Sequence, residues 1–165
     1  MNERARRRFA LAIVANLEDA MTITQHLIRS RLEPQIISII GQEASFAGER
    51  QDAIELARIV SGNAKIPTLM IDSNQIVSLD RDTGTFRRTI ATSSETLERM
   101  LRRWLPPEHA KRLADAVACG EFLLLVELHS LVEERVATRT LLRNCRGSVE
   151  VHDFDLAQGI GEFSL

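Results

Sequence analysis

The sequence is poor in aromatic residues and has no long apolar run. Aromatic residues make up 4% of the 165 residues and tyrosine is absent, which disfavours the aromatic platforms on which single-stranded nucleic acids stack. The formal net charge is −2, so the chain lacks the basic excess typical of a nucleic-acid-binding protein. No apolar stretch approaches the roughly 20 residues of a membrane-spanning helix. We therefore expect no nucleic-acid partner and no membrane span.

Cysteine is also scarce, since the chain contains only Cys119 and Cys145, which form no C-x-x-C motif. Both are near the ends of predicted helices, where buried thiols are common. We interpret them as structural thiols in a reducing compartment, which favours a cytoplasmic location. The basic start of the chain, with Arg4 and the arginines at 6–8, lacks the apolar segment of a signal peptide. We interpret it as a solvated terminus, with contact to an acidic partner or to a membrane surface as the alternative.

The remaining composition is that of an ordinary globular domain, with 44% hydrophobic and 27% charged residues. In the first half, apolar runs at 8–16 and 35–41 predict two strands. The segment between them has helical spacing, Asn16 in the N-cap position and Pro34 at its end. The first half therefore predicts a strand–helix–strand unit.

The second half has the same order of elements. A helix begins at Pro106 and ends before Gly120, and the apolar segment 121–128 predicts a strand. Ser130 and Glu133 have the spacing of a capping box that opens the next helix. A last strand follows at 147–154.

Two such units predict a ferredoxin-like α+β fold in one domain, with a four-stranded antiparallel sheet and helices on one face. The expected strand order is 4-1-3-2. The core consists of 8–41 and 106–154, and a long α/β insertion at 42–105 lies between the halves. A C-terminal tail occupies 155–165.

The insertion has its own secondary-structure signals. The segment 51–62 has the spacing of a helix, and 66–90 has two turn signals between short apolar runs, which predict a hairpin or meander. A second helix at 93–105 follows a capping-box spacing from Thr92 to Glu95. The insertion is therefore expected to be folded.

The strand at Gln35–Ile40 lies at an edge of the expected sheet. An exposed edge of such apolar character promotes aggregation. We expect it to be covered, either by the "TLMID" segment of the insertion or by a second subunit. A homodimer through this sheet edge is the simplest arrangement with a partner.

The segment "LPPEHAKRLADAVACGEFLLLVEL" resembles the bacterial heat-induced general stress protein domain. In that family a proline-led helix with a small residue precedes a glycine and an apolar strand, which correspond here to Pro106, Ala110, Gly120 and Leu123–Val126. The first strand and helix, at 9–40, are similar to the opening of the same domain, whereas the central segment is not. The resemblance implies a ferredoxin-like fold and a stress-associated role, with no defined biochemical activity.

The motif search finds no catalytic residues, cofactor site or metal site. The fragment at Asp80–Thr85 contains D-T-G, as aspartic proteases do, but its composition is typical of a β-turn. His26 and His109 are expected on helix surfaces, and no H-x-x-x-H or H-E-x-x-H pattern is present. His129 and His152 are expected at one end of the sheet, because their strands run parallel.

These observations favour a non-catalytic, self-associating interaction or stress-associated module. The alternative is a regulatory sensor domain that binds a small molecule, because polar residues follow the predicted strands. Its candidate ligand-binding residues are Asn16, Glu127 and His129.

Overall fold

The computed structural model describes residues 6–61, 75–79, 88–145 and 147–155. These ranges contain both strands and helices, and a short 3-10 helix at Pro34–Ile36 precedes the second strand. In chain order the elements are β1 Arg6–Val14, α1 Leu17–Arg29, β2 Ile37–Gln42, α2 Glu43–Gly48, α3 Arg50–Ser61, β3 Ile76–Leu79, β4 Arg88–Ala91, α4 Ser94–Leu101, α5 Pro107–Ala118, β5 Phe122–Leu128, α6 Leu131–Asn144 and β6 Val149–Asp155. None of the described helices is long and apolar enough to cross a membrane.

The described strands form one antiparallel sheet in the order β4-β3-β2-β5-β1-β6. The predicted α+β class is therefore confirmed, but the predicted number of four strands is wrong. The four strands expected from the sequence lie in the order β6-β1-β5-β2. Strands β3 and β4, which belong to the insertion, extend this sheet beyond β2.

Strand β2 is an interior strand, which corrects the prediction that Gln35–Ile40 lies at a sheet edge. It pairs with β5 on one side and with β3 on the other, where Ile39 is opposite Leu79. The insertion thus covers the apolar strand, although the "TLMID" segment itself lies outside the described residues. Because β2 already pairs on both sides within the chain, it does not need a second subunit as cover, and self-association stays a prediction.

Helices cover both faces of the sheet: α1 and α6, the helices of the two strand–helix–strand units, lie on one face as predicted, whereas α4 and α5 lie on the other. One apolar core lies between the sheet and α1, α2, α3 and α6, and includes Phe46 and Leu141. A second core lies between the opposite face and helices α4 and α5, and includes Leu97 and Leu113. Strand β5 is buried on both sides, which explains its continuous apolar run.

A close contact in the first core joins β2, α2 and β5. The rings of Phe46 and Phe122 pack with their centroids 4.9 Å apart. A Cβ atom at Gly41 would lie 2.5 Å from Cδ1 of Phe122, a distance that would force the ring to move. Gly41 is therefore the residue that makes room for Phe122.

Most of the predicted helix ends are confirmed. The Asn16 side chain accepts a hydrogen bond from the backbone N–H of Asp19 at 2.8 Å. Gly120 follows α5 with a φ of 91°, a left-handed conformation that favours glycine. In the capping box, the Ser130 hydroxyl accepts from the Glu133 N–H at 3.1 Å, whereas the Glu133 carboxylate accepts from the N–H of His129.

The predicted start of α4 is wrong by one residue. Ser93, and not Thr92, is the N-cap, because its hydroxyl accepts from the N–H of Thr96 at 3.2 Å. The two cysteines also differ from expectation: both are free thiols, but Cys119 is exposed and Cys145 only half-buried. The turn signals at 72–74 and 80–85 and the C-terminal tail beyond Asp155 lie outside the described residues.

Candidate metal centre

The three residues predicted to bind a ligand do not form one site. Asn16 follows the end of β1 at which Val14 pairs with Phe122, and it caps α1. Glu127 pairs with Phe9 near the other end of the same strand. Because β1 and β5 are antiparallel, Asn16 and Glu127 lie towards opposite ends of the sheet, so the structure does not bring the three residues together.

Glu127 and His129 do lie together, as part of a solvent-facing ion-pair network. His129 Nε2 is 3.3 Å from Glu127 Oε1, and Arg7 Nε is 3.4 Å from the same oxygen. The His129 side chain is 58% exposed, and ion pairs in such surroundings contribute little to stability. These contacts account for both side chains without a ligand.

A second group of polar side chains converges where α5 packs over β6. Glu150 and His152 are two residues apart on β6, and side chains so spaced project from the same face of a strand. They are opposite Leu11 and Phe9 of β1, two residues of the core beneath α4 and α5. His109, in the first turn of α5, lies next to Glu150 and His152.

The Glu150 carboxylate is the centre of this group. Its Oε2 atom is 3.1 Å from His109 Nδ1 and 3.0 Å from His152 Nε2. One ligand-capable atom from each of the three residues lies within 4.8 Å of the others. Glu150 is 12% exposed and His152 is 22% exposed, whereas His109 is 43% exposed. The group is therefore half-enclosed and open on the side of α5.

Arg112, one turn after His109 on α5, fixes the carboxylate from the other side. Its guanidinium forms an ion pair with Glu150 Oε1 and donates a hydrogen bond of 2.6 Å to the Ser148 hydroxyl. The carboxylate is thus held with Oε1 towards Arg112 and Oε2 towards the two imidazoles. An outer partner of this kind is the usual way in which proteins orient a metal-binding carboxylate.

The surroundings of His152 favour its neutral form. Burial lowers the pKa of His152 from its ordinary value, and the neighbouring His109 lowers it further, while Asp153 acts in the opposite direction. A neutral imidazole has a free lone pair, which is the form that binds a metal ion.

The group has the composition and spacing of a transition-metal site. Ligand atoms at about 2.0–2.1 Å from an ion lie about 2.9–3.4 Å from one another in octahedral or tetrahedral coordination, and the two contacts of Glu150 Oε2 are close to this range. Two imidazoles and one carboxylate suit ions such as Zn²⁺ or Fe²⁺ and leave coordination positions open. A cavity of about 190 Å³ adjoins the group and shares Arg112 and Glu150 with it.

The sequence predicts no metal site and places His109 on a helix surface, because the three residues match no local motif. Two weak signals point to them in retrospect. The E-x-H spacing of Glu150 and His152 is typical of one face of a strand, and the H-x-x-R spacing of His109 and Arg112 is typical of one face of a helix. The sequence does not indicate which helix packs against that face of β6.

Comparisons with family models, with curated proteins and with solved structures find no match to this chain. The resemblance to the stress protein domain therefore stays a prediction.

Proposed function

We propose that this protein is a regulatory module that binds a divalent first-row transition-metal ion through His109, Glu150 and His152. The observation that carries the proposal is the convergence of two imidazoles and a half-enclosed carboxylate, which Arg112 orients from behind. It is a specific form of the sensor alternative drawn from the sequence, with an ion as the ligand.

The size of the adjoining space favours a binding role over a catalytic one. Pockets for small molecules have volumes of about 300–1,000 Å³, whereas the cavity next to Glu150 measures about 190 Å³. This cavity lies on the Arg112 side of Glu150 and is lined by neither His109 nor His152, so it lies beside the proposed ligands and is too small for a typical organic substrate. We therefore propose a non-catalytic protein in which the ion itself is the signal.

The strand order supports a ferredoxin-like description of the core. Strands β6-β1-β5-β2 have the order and antiparallel pairing expected of two split βαβ units, with β3 and β4 as an extension. Folds of this kind serve many functions, so the argument for metal binding depends on the site and not on the fold.

A second candidate function is the interaction module predicted from the sequence. It is favoured by α6, where the exposed fraction is 73% for Leu131 and 71% for Val132. Large apolar side chains exposed side by side are typical of a surface that binds a partner.

Substituting the proposed ligands tests the metal site. His109→Ala and His152→Ala are each expected to weaken Co²⁺ or Zn²⁺ binding by at least about 100-fold, because an outer partner alone is typically worth about 10–100-fold. Arg112→Ala is expected to weaken binding by about 10–100-fold. Isothermal titration calorimetry measures the affinities, and the visible spectrum of bound Co²⁺ reports its nitrogen and oxygen ligands.

The matched control is His26→Ala. His26 is exposed on α1, which packs on the opposite face of the sheet, so its loss should leave the affinity unchanged. Equal weakening by His26→Ala and His152→Ala would indicate unspecific binding to surface histidines and would contradict the proposed site.

The affinity for the ion is expected to be nearly constant above neutral pH and to fall as the medium becomes acidic. The pKa of His152 is lowered in the folded protein, so protonation competes with the ion only below the ordinary histidine value of about 6.5. The same shift makes protonation favour the unfolded chain, so the stability associated with this group is present above that value and is lost below it.

A competition assay with a chromophoric chelator between about pH 8 and about pH 5.5 measures this dependence. His152→Ala should show a weaker pH dependence than the unmodified protein. An affinity that does not change across this interval would exclude histidine ligands.

A further inference from the structure

Helix α6 presents a row of arginines and apolar side chains to the solvent. Its cationic residues are four positions apart and therefore follow one side of the helix. The chain's three exposed large hydrophobic residues, among those described, are also on α6. Together these residues define the α6 face, which consists of Leu131, Val132, Arg135, Arg139, Leu142 and Arg143.

The arginines of the α6 face have no acidic partner among the described residues, in contrast to several cations on or next to other helices. The acidic residues at the start of α6 point elsewhere: Glu134 pairs with Arg8, and Glu133 accepts from the backbone of His129. Some cations on or next to the other helices pair with an acidic residue three or four positions away, as in Arg58–Glu55, Arg102–Glu98 and Lys111–Asp115.

This arrangement is unfavourable for the isolated helix. Like charges four positions apart repel each other, so Arg139 is repelled by both Arg135 and Arg143. The exposed leucine and valine side chains add a second cost, because their apolar surface is in contact with water. Stability therefore does not explain the α6 face, whereas a bound acidic and apolar partner would offset both costs.

A groove of about 430 Å³ lies beside α6 and is lined by Ser30, Val132 and Arg139, among others. Thr138 and Leu142 lie on the adjoining open surface of α6, together with Glu134 and the arginines. The groove combines apolar surface with guanidinium groups, which suits side chains of alternating apolar and acidic character.

We propose that the α6 face binds an acidic amphipathic helical segment of a partner protein. Such a segment brings carboxylates to the arginine row and leucine side chains to the groove, a common form of helix recognition. Symmetric pairing of two α6 helices would place the arginine rows against each other, so a second copy of this chain does not fit. Three arginines are also fewer than the about four to eight basic residues of typical lipid-binding clusters.

Fluorescence anisotropy with a labelled synthetic peptide tests the proposal. The probe is a helix of about five turns with glutamates four positions apart and leucines between them. We expect saturable binding that weakens as salt is added, because exposed charges are screened. A peptide with glutamine in place of each glutamate is expected to bind at least about tenfold more weakly, since unpaired guanidinium groups gain little from neutral amides.

The decisive variant is Arg139→Glu, which separates binding from stability. It should weaken peptide binding at least about tenfold, because it reverses the central charge of the row. It should also raise Tm by roughly 2–4 °C, because two repulsive pairs become attractive pairs within α6. A variant that had merely lost its fold would show a lower Tm.

Arg99→Ala is the matched control, since Arg99 is exposed on α4, which packs on the opposite face of the sheet. Its peptide affinity should equal that of the unmodified protein. The proposal is overturned if Arg139→Glu binds the peptide as tightly as the unmodified protein, if the glutamine peptide binds equally well, or if Arg99→Ala weakens binding as much. It is also overturned if vesicles containing phosphatidylserine bind and the peptide does not.

Discussion

Replacing Phe122 with alanine is expected to lower the free energy of unfolding by about 3–5 kcal/mol, the usual cost of removing a large buried ring. Phe122 is fully buried and lies in the central part of the sheet, between β2 and β1. Its ring fills the space above Gly41 and packs against Phe46. Because Gly41 has no side chain that could move into the vacated volume, we expect a cost in the upper part of this range.

A double-mutant cycle with Gly41→Ala tests whether Phe122 fills the space that Gly41 leaves open. Alone, Gly41→Ala should destabilise the protein, because its Cβ would lie 2.5 Å from the Phe122 ring. In the Phe122→Ala background the same methyl group enters a cavity, so the two effects should differ from additivity by about 0.5–3 kcal/mol. Urea unfolding followed by circular dichroism measures all four proteins.

Leu142→Ala is the control for the loss of apolar volume at the surface. Leu142 is 58% exposed, so its removal should change stability by no more than about 0.5 kcal/mol. Strictly additive effects of Gly41→Ala and Phe122→Ala would show that the two residues do not share one space.

Zinc is expected to raise the stability of the protein by about 2.7 kcal/mol when the free ion is at about 100 times its dissociation constant. For a chain of this length, 1 kcal/mol corresponds to about 2–4 °C in Tm, so the expected increase is about 5–11 °C. The reason is linkage: the three proposed ligands His109, Glu150 and His152 converge only in the folded chain. Differential scanning fluorimetry with and without Zn²⁺ measures the shift.

The double variant His109→Ala/His152→Ala should show no such shift at the same zinc concentration. Mg²⁺ is the matched ion, because it prefers an octahedral shell of oxygen atoms and binds weakly to imidazole. An equal increase in Tm with Mg²⁺, or an undiminished increase in the double variant, would show that the stabilisation arises elsewhere.

The sequence predicted the individual elements better than their arrangement. Asn16, Ser130 and Gly120 end or begin helices through local hydrogen bonds and backbone conformation, and such signals are visible within a few residues. The side of the sheet on which a helix packs is set by contacts between distant segments. The apolar run in β5 contained part of that information. A strand with one solvent-facing side alternates between apolar and polar residues, and Phe122–Val126 does not.

The error at β2 has the same origin. Its apolar composition correctly indicated that it needs cover, but a strand's neighbours are determined by register with distant segments. The covering strand β3 has four residues, a length at which periodicity carries little information. The composition of β2 therefore favoured a second subunit as its cover, but strand β3 of the insertion provides that cover within the chain.

The candidate metal centre could not be predicted because its geometry is entirely tertiary. His109 is on a helix that begins the second half of the chain, whereas Glu150 and His152 are on the last strand. The predicted residues Glu127 and His129 do contact each other, because they are close in sequence, but Asn16 does not join them. Local proximity was predictable, whereas convergence of α5 with β6 was not.

The position of β6 has a consequence for how fast an ion would leave the site. The described sheet ends at β6, which pairs only with β1, and terminal strands open more readily than interior ones. Two of the three proposed ligands are on this strand, and the third is on α5. In the metal-bound state, local unfolding of β6 would separate the ligands, so the residence time of the ion would be linked to the opening rate of one strand.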